Sequence, residues 1–121
     1  MYKLDNAKFV LSELEKVQDL PNELAIRVYL ACARVSDNSD LEYSYYKKAV
    51  PLVEISTNKE VVSELYYKYA VSSDEHDDPR TAAEFYKKCI DLDSNPKHNT
   101  YLLLYQTLYG PTSYLRLTEF D

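Results

Sequence analysis

A chain of 121 residues with one glycine, Gly110, has few ways to turn back on itself tightly. Two-residue β-hairpin turns need positive φ, a conformation glycine reaches without steric penalty, so a fold rich in hairpins is nearly closed to this sequence. Long helices joined by Asx, Ser and Pro turns remain, and the expected class is all-α. A hydrophobic content of 45% with 28% charged residues is an ordinary globular balance. The length suits a single helical domain over residues 1–111 followed by a tail, 112–121.

Apolar residues recur at helical spacing along the chain. Ala7, Val10, Leu11, Leu14 and Val17 predict a first helix over about 5–18, with Asp5 as its cap. Ala25, Val28, Tyr29, Cys32, Ala33 and Ser36 mark a second, over 21–36, with Pro21 in its first turn. Ser39-Asp40-Leu41-Glu42 and Thr57-Asn58-Lys59-Glu60 read as capping boxes that open the third and fourth helices. Pro51 is expected to bend the end of the third. Asp78-Pro79 starts a fifth helix over 79–92, and Asn95-Pro96 starts a last one that runs to Tyr109 and ends at Gly110-Pro111. About six helices are expected.

The two halves overlay. Tyr45-Tyr46-Lys47-Lys48-Ala49-Val50 lies beneath Phe85-Tyr86-Lys87-Lys88-Cys89-Ile90, and Tyr29-x-x-Cys32-Ala33-x-x-Ser36 beneath Tyr66-x-x-Tyr69-Ala70-x-x-Ser73. Two helix hairpins of one design are therefore predicted.

The second of these, Tyr66-x2-Tyr69-Ala70-x2-Ser73 followed by Ala82-x3-Tyr86, then Cys89 and DLDSNP, resembles the tetratricopeptide repeat over about 63–94. Residues 26–53 carry a degenerate version, with Glu42 where the second unit has Ala82. The resemblance implies antiparallel hairpins stacked as a short TPR-like α-solenoid, with the first helix of each pair lining a concave face. The places on that face would be Arg27, Leu30, Ala31 and Arg34, then Glu64, Tyr67, Lys68 and Val71, continued by His98, Tyr101, Leu102 and Tyr105. Its implied function is that of a protein-binding adaptor or scaffold. The basic minority Arg27, Arg34 and Lys68 suits an acidic or carboxylate-bearing protein segment, with the tyrosines adding flat contact area. The family's carboxylate clamp for chaperone tails needs asparagines on these helices, and here their places hold other residues. A structural self-associating subunit, or a fragment of a longer helical-repeat scaffold, is the alternative.

Other chemistries find little footing. A net charge of −6 makes a phosphate backbone a poor partner, and the isolated pairs Lys47-Lys48 and Lys87-Lys88 read as solvent faces. No glycine-rich phosphate loop, nucleophile elbow or zinc-like Cys/His spacing occurs, so neither an enzyme, a metal nor a cofactor is expected. The turn Asp74-Glu75-His76-Asp77-Asp78 reads as a solvated acidic turn. Cys32 and Cys89 lie on apolar stripes and read as reduced core thiols, although their pairing depends on distance. The first helix is too charged for a signal-peptide core, and no apolar run approaches a bilayer span. A soluble cytoplasmic or nuclear protein is the expectation. Finally, the run from Tyr101 to Tyr109 is apolar on nearly every face, which points to the last helix as a self-association surface or a seat for the tail.

Overall fold

The computed structural model describes residues 2–92, with side chains from Lys8 onward. These residues form five α-helices and one 3₁₀ turn, with no strand: α1 (Tyr2–Glu15), α2 (Asn22–Val35), α3 (Ser39–Ala49), the 3₁₀ turn (Val50–Leu52), α4 (Lys59–Glu75) and α5 (Pro79–Leu92). The expected sixth helix and the tail lie outside the described residues. The chain divides into two compact units, Met1–Leu65 and Tyr66–Asp121, with the boundary inside α4.

Asparagines, rather than the predicted Ser39 and Thr57, cap α3 and α4. Asn38 Oδ1 accepts from the amides of Asp40 and Leu41 at 2.8 and 3.0 Å, and Asn58 Oδ1 accepts from Glu60 and Val61 at 2.9 and 3.3 Å. A side-chain carbonyl one residue before the helix reaches both orphan amides, which leaves Ser39 as the first helical residue. Thr57 is buried and closes the loop instead: its hydroxyl accepts from the Glu54 amide at 2.9 Å while its own amide donates to the Glu54 carbonyl. Asp78 caps α5 through the Thr81 amide, as its sequence position suggests. Pro51 does more than bend α3, which gives way at Val50 to the 3₁₀ turn because the proline offers no amide to an α-helical bond.

Helix α4 ends without glycine. Asp77 takes the left-handed conformation at φ 58°, the Asp78 amide returns to the Ser73 carbonyl at 2.8 Å, and the Asp77 amide reaches the Asp74 carbonyl at 3.2 Å. This is a Schellman cap with aspartate in the place glycine usually fills. Asp19, at φ 67°, turns the chain between α1 and α2.

In the first unit α2 packs on α1 and α3, burying Ile26, Val28, Leu30, Cys32 and Ala33 of α2 with Tyr46 and Ala49 of α3. Ala49 lets α3 come close, having no side chain beyond Cβ to hold the helices apart. In the second unit, α5 buries Ala82, Ala83, Phe85, Tyr86 and Cys89, and Tyr66 and Tyr69 of α4 meet the Phe85 ring edge-on at 5.0 and 4.8 Å.

The overlay of the halves reappears as geometry inside each unit. Tyr29 of α2 lies 6.1 Å from the Tyr45 ring of α3, and Lys48 Nζ sits 6.0 and 5.5 Å from the two rings. At the matching positions Tyr66 meets Phe85, and Lys88 Nζ sits 5.8 and 4.9 Å from those rings. Each hairpin thus closes with a ring from its first helix, a ring from its second, and a lysine one turn on whose ammonium is attracted to both π faces.

Candidate interaction surface

The residues singled out for binding are distributed between the two units. In the first, Arg27 and Arg34 are seven positions apart on α2, which places them on one side of the helix two turns apart, and both are exposed. Each guanidinium already faces a carboxylate of the chain: Arg27 lies 3.4 Å from Glu23, one turn back, and Arg34 lies 3.6 Å from Glu64 of α4. Leu30, between them, is buried at 6% exposure and belongs to the core, so it offers nothing to a ligand. Ala31 is half-buried. In the second unit Tyr67, Lys68 and Val71 are also half-buried, and the Tyr67 ring meets Tyr86 edge-on at 6.1 Å. His98, Tyr101, Leu102 and Tyr105 lie outside the described residues.

Beneath the Arg34–Glu64 pair is a polar group that spacing alone did not mark for binding. Tyr46 is buried and donates from its hydroxyl to Glu42 Oε1 at 2.8 Å, one turn back on α3. Burial raises its phenol well above the ordinary value, helped by the Glu42 hydrogen bond and by the negative charges of Glu42 and Glu64, with Arg34 acting against them. Tyr46 is therefore a fixed donor at neutral pH. The i, i+4 spacing of Glu42 and Tyr46 could have signalled the bond, whereas Glu64 approaches from a helix thirty residues away from Arg34 and left no local sign. Glu23 is similarly fixed from a distance, since its Oε1 accepts from the Asn58 amide at 2.7 Å and so ties the start of α2 to the start of α4.

A cleft of about 160 Å³ opens elsewhere in the first unit, between α1, α2 and α3. Leu11, Val35 and Leu41 give it apolar walls, Cys32 and Tyr45 line it, and Lys8 and Asp37 pair at 3.3 Å on its border. Burial and the nearby Glu15 carboxylate raise the Cys32 thiol above its ordinary value, so it stays protonated and poorly nucleophilic at neutral pH. Cys89 is likewise a buried thiol, pushed up to about 12 by burial.

No protein-family model, curated protein or solved structure matches this chain. Among the described residues, no group of three His, Cys, Asp or Glu side chains could hold a metal ion, and no helix is long and apolar enough to cross a membrane. What the first unit offers is a row of four charges, Glu23, Arg27, Arg34 and Glu64, over a firmly hydrogen-bonded base. All four are substantially exposed, and ion pairs in such positions contribute about 1 kcal/mol or less.

Proposed function

We propose that this chain is a tetratricopeptide-like helical repeat domain that works as a non-catalytic adaptor, holding a carboxylate-bearing segment of another protein along α2. The observation that carries the reading is the pair Arg27 and Arg34, two turns apart on one side of α2, each opposite an exposed carboxylate at 3.4 and 3.6 Å. An incoming carboxylate can take the place of Glu23 or Glu64 on a guanidinium at little cost, because the bond lost is solvent-screened and the bond gained can be bidentate. Carboxylates on a bound segment about 10 Å apart would meet the two arginines together, since seven helical residues rise by about that distance. The repeated ring-and-lysine closure of the two hairpins supports the repeat half of the reading.

Fluorescence anisotropy with labelled acidic peptides, compared against charge-scrambled controls, tests the binding half. The unaltered chain should prefer peptides whose carboxylates match the arginine spacing, and Arg27→Glu with Arg34→Glu should weaken that binding by about tenfold or more while circular dichroism stays helical. Equal binding of scrambled peptides, or binding unchanged by the double reversal, rejects the α2 surface.

A further inference from the structure

Helix α2 keeps one side open. Its buried residues, Ile26, Val28, Leu30, Cys32 and Ala33, take up the rest of its circumference. The open side carries Leu24, 47% exposed, with Arg27 and Arg34, also exposed, and the half-buried Ala31 and Val35. At 3.6 residues per turn these five fall within about 100° of arc, so they make one face: Arg27 and Arg34 along one edge, Leu24 and Val35 along the other, and Ala31 between them. Four of the five, Leu24, Arg27, Ala31 and Arg34, follow one another at steps of three, four and three residues. That alternation is the one by which a helix offers a seam to a second helix lying along it. Ala31, with no atom beyond Cβ, leaves a hollow in the seam that a side chain of the second helix can enter.

We infer that the segment held along α2 is an acidic amphipathic helix of another protein, seated on this seam with a carboxylate over each arginine and apolar residues on Leu24 and in the hollow at Ala31. The inference rests on the reading of α2 as the ligand surface and adds to it the shape and the apolar half of the ligand. Register selects a helix: one lying along α2 repeats its side chains at the same interval of seven, so glutamates at i and i+7 fall opposite Arg27 and Arg34, while the residue midway between them falls near Ala31. The mixed character of the face selects an amphipathic one. An extended acidic strand would satisfy the arginines and leave Leu24 in water, whereas an amphipathic helix covers Leu24 in the same contact. Charge selects acidic side chains, because both guanidiniums are more than half exposed, at 52% and 64%. Arg27 is also the easier of the two to release: Glu23, which faces it through Oε2, holds the Asn58 amide through Oε1 at 2.7 Å and keeps that bond when the arginine turns to a partner.

Fluorescence anisotropy on the full chain with three labelled peptides tests this. The first is an Ala- and Gln-based helix of about three heptads with Glu at one seam position and Leu at the other. The second is the same peptide with a proline at a central position outside the seam, which breaks the helix and leaves its charges and leucines in place. The third is a proline-flanked extended peptide whose two glutamates stand three residues apart, about 10 Å. The first should bind about tenfold or more tighter than the second, with a gain of helical circular dichroism on binding. Leu24→Gln, an uncharged change at an exposed position, and Ala31→Gln, which fills the hollow, should each weaken the first peptide by about threefold or more and leave the third within about twofold. If the three peptides bind equally and all depend on Arg27 and Arg34, the helix is overturned and the arginine surface stands. If no peptide binds, or none is weakened by Arg27→Glu with Arg34→Glu, both readings fall together. A dimer of the unaltered chain in sedimentation velocity that the same double reversal dissociates also overturns the inference, because the seam would then hold a second copy.

Discussion

At the scale of single residues, Ser73 stands apart. It is fully buried, and among the described residues its hydroxyl has no hydrogen-bond partner, while its backbone carbonyl receives the Asp78 amide of the Schellman cap. Burying a hydroxyl without a bond costs about 1–3 kcal/mol, and the remainder of the side chain is no larger than alanine's. Ser73→Ala should therefore raise stability by about 1 kcal/mol, read as a higher urea midpoint with an unchanged slope. A lower midpoint would mean that the hydroxyl is satisfied. The sequence already suggested where Ser73 would lie, on the stripe Tyr66, Tyr69, Ala70, Ser73, but periodicity reports a buried position without reporting whether a donor or acceptor waits there. The same limit applies to Leu30: the repeat resemblance put it on a binding face, and packing put it in the core.

At the scale of elements, the caps separate what local sequence specifies from what it leaves open. The positions of the breaks before α3 and α4 were plain from DNSD and TNKE, and the identity of the capping residue was not, because Asn and the adjacent Ser or Thr compete for the same amides. Asn38→Ala and Asn58→Ala should each cost about 1 kcal/mol, whereas Ser39→Ala should cost a few tenths at most, since its hydroxyl is not the cap. Thermal melts of the three variants check the order, and a larger loss from Ser39→Ala would restore the capping-box reading. Helix α1 illustrates the opposite case. Its apolar stripe was legible residue by residue, but a stripe names a face without naming its neighbour, and here the hairpin takes Leu11 of that stripe together with Lys8 and Glu15, held by Asp37, Tyr45 and Lys48, and leaves Val10 and Leu14 exposed. The helix also starts and stops about three residues earlier than the pattern suggested, leaving Val17 beyond its end.

At the scale of the molecule, the many tyrosines link stability to alkaline pH. The Tyr45 phenol is pushed up to about 12, first by burial and then by the Glu15 charge, and Cys89 rises to about 12 by burial alone. Tyr46, Tyr66 and Tyr86 also shift upward, again through burial first. A group whose folded pKa exceeds its unfolded value adds stability that is complete below the unfolded value and is lost as pH climbs through the folded one. The contribution of Cys89 should accordingly fade from about pH 9 to 12 and that of Tyr45 from about pH 10 to 12. Denaturant midpoints should fall steeply above pH 10, with tyrosinate absorbance lagging behind that of the unfolded chain; midpoints flat to pH 12 would contradict the burial of these groups. Charge also acts on the molecule through the solvent. The attachment of α1 combines the ion pairs Lys8–Asp37 and Glu15–Lys48, both partly open to water, with the apolar side chain of Leu11 in the wall of the cleft. Added sulfate screens the ion pairs and strengthens the apolar contact, so a single salt titration pulls the two kinds of contact that hold one helix in opposite directions. The ionic medium thus becomes a dial on how firmly α1 belongs to its own hairpin.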